Sequence, residues 1–258
     1  MKTLLAALTI ASASFANAYA QADKPTIVLV HGAFADSSSW NGIVKILEKD
    51  GYPVVAVANP LRGVKNDAGD VADILGSIKS PVVLVGHSYG GSVISEAAEG
   101  YANVKALVYV AAFAPDAGET AAQLAGKFPG STLGPTLAPP VALSSGGKDL
   151  YIRQDKFHMQ FAADLPEAEA RLMAATQRPI QETALNEAQT EAAWKKIPSW
   201  FIYGDGDKNI PPEALAFMAA RAHSRDTVVV KGASHVVMVS NPEPVAGLIE
   251  KAATKASR

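Results

Sequence analysis

The stretch Val85-Gly86-His87-Ser88-Tyr89-Gly90-Gly91 sets a serine between glycines two residues away on either side, after the apolar run "PVVLV" and before the helical "SVISEAAEG". A serine hydroxyl reacts poorly unless a base takes its proton and donors receive the charge that develops on the substrate oxygen. A G-x-S-x-G pentapeptide that follows a strand and precedes a helix meets both flanking conditions for a nucleophile elbow. It predicts a sharp turn with Ser88 in a strained backbone state, and Gly86 and Gly90 let strand and helix approach. The Ser88 oxygen would then stand at a helix amino terminus, where free N–H groups favour a developing anion. An ordinary glycine-rich turn is the plain alternative, and only partner residues elsewhere decide between the two.

One donor is expected from the residue after the serine, Tyr89, and a second from the loop after the first strand, Val30-His31-Gly32-Ala33-Phe34. Gly32 is expected to let the backbone turn so that the Ala33 N–H faces Ser88. His31 reads as a brace for that loop rather than a base. Base and acid should follow in the order serine, acid, histidine, which leaves His158, His223 and His235. His223 ends a helix, where histidine serves the C-terminal dipole. His158 falls in an inserted segment, where contact with substrate is its expected role. His235, just past the last predicted strand in "KGASHVVMV", is the best-placed base. In "YGDGDKNIPPE", Asp205 and Gly206 read as turn formers and Asp207 as the acid, with Asp116 in "PDAGE" a further candidate.

These residues need a frame. Apolar runs at 26–30, 53–58, 81–86, 104–112, 198–204 and 226–232 alternate with segments of helical spacing. Runs rich in Val and Ile without in/out alternation predict strands buried on both faces, so about six strands form a mainly parallel sheet flanked by helices, an α/β fold. Asp36 to Ser39 offer N-caps for "WNGIVKILEKD", which Gly51 ends, while Pro211, Pro212 and Pro242 suit first helical turns. Between the fourth and fifth runs lie about 85 residues, far beyond an ordinary connection, and this span predicts a largely helical cap at about 116–196 over a pocket. Phe34 and His158 are candidate pocket residues, and the charged Arg153 and Lys156 are expected to face water.

The chain begins "MKTLLAALTIASASFANAYAQADKP", a lysine, an apolar run and small residues at Ala16, Ala18 and Ala20. This layout predicts a signal peptide over 1–20, cut after Ala18 or Ala20 and implying export to a periplasm or beyond, with one domain over 21–258. The apolar run falls short of the roughly 20 residues that span a bilayer. With no cysteine, neither disulfides nor lipid attachment at the cut are available. The formal charge of −2 becomes −3 without Lys2, too near neutral to draw nucleic acid or an anionic membrane, so the expected partner is a small molecule.

The blocks "VLVHGAFADSSSW", "VVLVGHSYGG", "YGDGDKNIPPE" and "GASHVVMVSNPEPV" together resemble the α/β-hydrolase superfamily, in particular small bacterial esterase-like hydrolases and the plant methylesterase and hydroxynitrile lyase group. The resemblance runs from about Thr26 to Ile249 and implies Ser88 as nucleophile, Asp207 as acid, His235 as base, and Ala33 with Tyr89 as oxyanion donors. The chain departs from larger members at its start, where little of it precedes Thr26, so their leading antiparallel pair is expected to be missing. Lyases of this group carry a polar residue after the first-loop histidine, or a lysine after the triad histidine. Here those positions are Gly32 and Val236. The expected activity is therefore a serine carboxylesterase on a small, fairly apolar ester, with no cofactor and no metal. A lyase or perhydrolase with the same triad, and a ligand-binding protein that keeps the fold without turnover, are the alternatives.

Overall fold

The computed structural model describes residues 24–256, so the segment read as a signal peptide lies outside the described residues. Nine strands occur in chain order: β1 Thr26–Val30, β2 Val54–Val57, β3 Val82–His87, β4 Val104–Val110, β5 Val141–Ala142, β6 Lys148–Leu150, β7 Ile180–Gln181, β8 Ser199–Gly204 and β9 Thr227–Val230. The helices are α1 Asn41–Lys49, α2 Val64–Ser77, α3 Gly90–Ala97, α4 Ala121–Ala125, α5 Gln154–Phe161, α6 Glu167–Thr176, α7 Glu182–Asn186, α8 Pro212–Arg221, α9 Val237–Ser240 and α10 Pro242–Ala256.

Six strands make the main sheet in the order β2-β1-β3-β4-β8-β9, every pair parallel. Among the described residues this sheet carries no antiparallel strand. The chain leaves β1 toward β2 in one direction and moves from β2 to β3, β4, β8 and β9 in the other. Right-handed crossovers therefore put α1 on one face, where it packs against α10, and α2 and α3 on the other, where they pack together. The reversal falls between β1 and β3, the place where open α/β sheets bind ligands at the carboxyl ends of their strands.

The four central strands are buried apart from Lys105 in β4, as their largely apolar runs require. The two outer strands depart from the expectation of burial on both faces. β9 alternates exposed and half-buried residues, and Val55 in β2 is exposed, because each outer strand has a neighbour on one side only and incomplete cover. Caps follow the local chemistry. The Asp36 carboxylate accepts from Ser38 N–H at the start of a short 3-10 turn, Ser37–Trp40, that leads into α1, and Gly51 ends α1 with a φ of 80°.

The span between β4 and β8 holds α4 to α7 together with a feature the sequence pattern did not predict, an antiparallel sheet β5-β6-β7. Its strands are two, three and two residues long, too short for any alternation to register. The span is tied to the domain by Arg62, after β2, whose guanidinium makes two hydrogen bonds to Asp149 of β6, at 2.5 and 3.3 Å.

Candidate active site

Ser88 sits at the end of β3 with φ of 53°, a left-handed conformation unusual for a residue with a side chain. The elbow closes because its neighbours lack side chains: a Cβ on Gly86 would lie 2.6 Å from the Gly90 carbonyl oxygen, and one on Gly90 would lie 2.5 Å from that of Val30. Gly32 is needed for closeness rather than for the turn expected of it. A Cβ there would lie 2.6 Å from Ser88 Cβ and 2.7 Å from the His87 carbonyl oxygen. The first loop thus presses directly against the serine.

That approach leaves two N–H groups unclaimed. Ser88 N–H donates to the Val110 carbonyl at 3.3 Å and Phe34 N–H to the Arg178 carbonyl at 2.9 Å, whereas those of Ala33 and Tyr89 meet no acceptor among the described residues. They are free to receive an oxyanion beside Ser88.

His235, 1% exposed, lies on the loop after β9, and its Nδ1 is 2.6 Å from Asp207 Oδ2. Asp207, on the loop after β8, is buried, and its Oδ1 accepts from the N–H groups of Asn209 at 2.8 Å and Ile210 at 3.0 Å. A carboxylate with its oxygens occupied in this way stays fixed and holds the imidazole with Nδ1 protonated. Nε2 is then the nitrogen left to take a proton.

Ser88, Tyr89, His235, Ala33 and Phe34 face one cavity of about 310 Å³. The cap closes its far side with Ala121, Ala122 and Ala125 of α4, Leu133, Leu137, Phe161 and Leu185, and the sheet side adds Phe113 and Ile210. No lysine or arginine lines it. Such a site favours a neutral, apolar molecule with one polar centre at the serine. Among the described residues no group of three or more His, Asp or Glu side chains is arranged to hold a metal ion.

The model of the family described as "Alpha/beta hydrolase family" matches residues 27–248. This chain belongs to that family. Two curated relatives of this hydrolase come from Arabidopsis thaliana, each 24% identical over 90% of the chain: an alpha-hydroxynitrile lyase matched over 98% of its length and methylesterase 1 over 97%. Among solved structures, polyneuridine aldehyde esterase superposes with a TM-score of 0.77 at 19% identity, covering 88% of this chain and 98% of that one. The fold named by the sequence blocks is thereby shown, and their resemblance to the plant methylesterase and hydroxynitrile lyase group is borne out.

The other residues singled out in the hydrolase sequence lie apart from the cavity. Asp116 is paired with Lys195 at 2.5 Å, and that contact holds its carboxyl below the usual range. Asp205 accepts from Gly232 N–H at 2.5 Å, a turn bond between the loops after β8 and β9. His31 bonds the Gly32 carbonyl at 2.9 Å through Nδ1, and its own carbonyl accepts from Asn59, so it braces the loop; burial lowers its pKa. His158 lies in α5 with Nε2 at 2.8 Å from the Leu165 carbonyl and is not among the residues lining the cavity. His223 is exposed behind α8. Arg153 and Lys156 are at the surface beside Asp155.

Sequence reasoning missed two buried supports. The Tyr89 hydroxyl donates to Asp67 Oδ2 at 2.9 Å, and Asp67 Oδ1 accepts from Arg62 N–H at 3.0 Å. Burial pushes both the Asp67 carboxyl and the Tyr89 hydroxyl above their ordinary ranges. His87 donates from Nε2 to the His235 carbonyl at 3.0 Å, since a carbonyl only accepts, and burial holds its imidazole well below the ordinary value. The latter was readable only as a histidine of unassigned role inside the pentapeptide.

Proposed function

We propose that this protein is a serine carboxylesterase that cleaves a small, fairly apolar ester through an acyl-enzyme on Ser88. The observation that carries the reading is the meeting, in one apolar cavity, of Ser88, two unclaimed N–H groups and His235, whose Nδ1 is held from behind by the buried Asp207. Ser88 Oγ attacks the ester carbonyl carbon as its proton passes to His235 Nε2, and the carbonyl oxygen, now an anion, accepts from Ala33 and Tyr89 N–H. Collapse expels the alcohol, which takes the proton from His235. Water then attacks the acyl-enzyme, giving its proton to His235, and the second collapse restores Ser88 and frees the acid. The charge that each half-reaction places on His235 is balanced by Asp207.

The relatives are named for ester and for cyanohydrin chemistry. Two features of this chain support the ester side: Val236, apolar and fully buried, follows the base, and no cation lines the cavity to receive cyanide. Export of the chain, with removal of 1–20, belongs to the same proposal and rests on the composition of the first 20 residues. A panel of nitrophenyl esters that varies acyl and alcohol parts separately tests the activity. Turnover of short, neutral members is expected; aldehyde release from cyanohydrins with no ester turnover overturns the reading in favour of a lyase.

A further inference from the structure

We propose that Gln160, at the end of cap helix α5, is a positioning residue that clamps the loop carrying the triad acid. The proposal rests on the esterase reading of Ser88, Asp207 and His235.

Gln160 is 4% exposed, and its amide is fully engaged. Its Nε2 donates to the Lys208 carbonyl at 2.9 Å and to Asn209 Oδ1 at 2.8 Å, while its Oε1 accepts from the Thr132 hydroxyl at 2.8 Å. Because a backbone carbonyl only accepts, the nitrogen of Gln160 must face Lys208, which fixes the amide orientation. The second N–H then requires Asn209 to present its oxygen. Thr132, also in the cap, donates its own N–H to the same Lys208 carbonyl at 3.0 Å.

The clamped peptide also fixes the acid, because the Lys208 carbonyl and the Asn209 N–H belong to one peptide unit. Asn209 and its neighbour Ile210 hold Asp207 Oδ1 through their N–H groups, and Asp207 Oδ2 holds His235. The next residue along α5, Phe161, lies with its ring centroid 5.1 Å from that of His235. One turn of the cap therefore reaches both acid and base. A loop displaced by a fraction of an ångström lengthens the bond from Asp207 to His235 and frees the ring to turn, which costs rate more than it costs the binding of substrate. An ordinary buried glutamine that only steadied the cap would affect stability and leave turnover in place.

Gln160→Met keeps the side-chain volume and removes both donors and the acceptor. The expected result is a fall in kcat of roughly tenfold with KM within about twofold, below the hundredfold cost of a 1 Å misplacement. The downfield proton resonance of the His235 Nδ1–H shared with Asp207 should shift or broaden in parallel. Wild-type kcat with an unmoved resonance, or a KM effect alone, overturns the proposal. Should that variant not fold, Thr132→Val removes only the hydroxyl bonded to Gln160; it is expected to lower kcat about threefold, the worth of one hydrogen bond, and to move the same resonance, and no change in either overturns the proposal. If the wild type turns over no ester and takes up no fluorophosphonate, the esterase reading fails, while the resonance still decides the role of Gln160.

Discussion

A single added carbon is enough to disturb Ser88, because the first loop already touches it. Gly32→Ala would set a Cβ 2.6 Å from Ser88 Cβ and 2.7 Å from a backbone oxygen, neither of which can swing aside as the end of a flexible side chain would. We expect kcat/KM to fall by about a hundredfold or more, with the circular dichroism of the wild type retained. Steady-state kinetics on a nitrophenyl acetate check this, and near-normal activity would mean that the two loops are not in register as described. At this scale legibility depended on distance along the chain. Ser88, Asp207 and His235 each follow a strand and stand among turn residues, so local pattern marks them. Gln160 and Asp67 act on residues 49 and 22 positions away, and nothing in their own neighbourhoods announces it.

Among the elements, α4 sets the room available to substrate. It turns Ala121, Ala122 and Ala125 toward the cavity, and its amino end is fixed by a reciprocal cap in which Thr120 and Gln123 bond each other's backbone N–H. Ala125→Phe places a ring in a space of about 310 Å³. The expected outcome is a chain-length profile cut back to acetate and propionate esters, with octanoate turnover reduced roughly tenfold relative to acetate, in line with the few kcal/mol at stake in a hydrophobic subsite. A profile parallel to that of the wild type would show that the acyl chain lies elsewhere. The helix was expected only as part of a cap, since the composition of a five-residue helix does not say which side of it faces a pocket. The short β5-β6-β7 sheet escaped for a related reason: it is held by pairing across distant segments and by Arg62 on Asp149, not by a pattern of its own.

Over the whole molecule, the six main strands were legible to within about two residues at either end, because long runs of Val, Ile and Leu have no other place in a folded chain. Their order was not legible, nor was the exposure of the outer two. The same burial makes stability depend on pH. His87 and His31 are both held below the ordinary histidine value by desolvation, so the unfolded chain binds protons that the folded one excludes. Their contribution is complete above about pH 6.5 and is lost as pH falls below it, at no more than about 1.4 kcal/mol per unit for each histidine. Scanning calorimetry from pH 7.5 to 5.5 should show this decline, and His87→Gln should make its slope shallower; an unchanged slope would mean that His87 is not the excluded group. The central claim, that Ser88 is the acylated nucleophile, is tested most directly by intact-mass analysis after a fluorophosphonate, with peptide mapping of the adduct. One equivalent on Ser88, abolished in Ser88→Ala together with ester turnover, is the expected result, and an adduct on another residue, or a Ser88→Ala protein that hydrolyses esters at the wild-type rate, would contradict it.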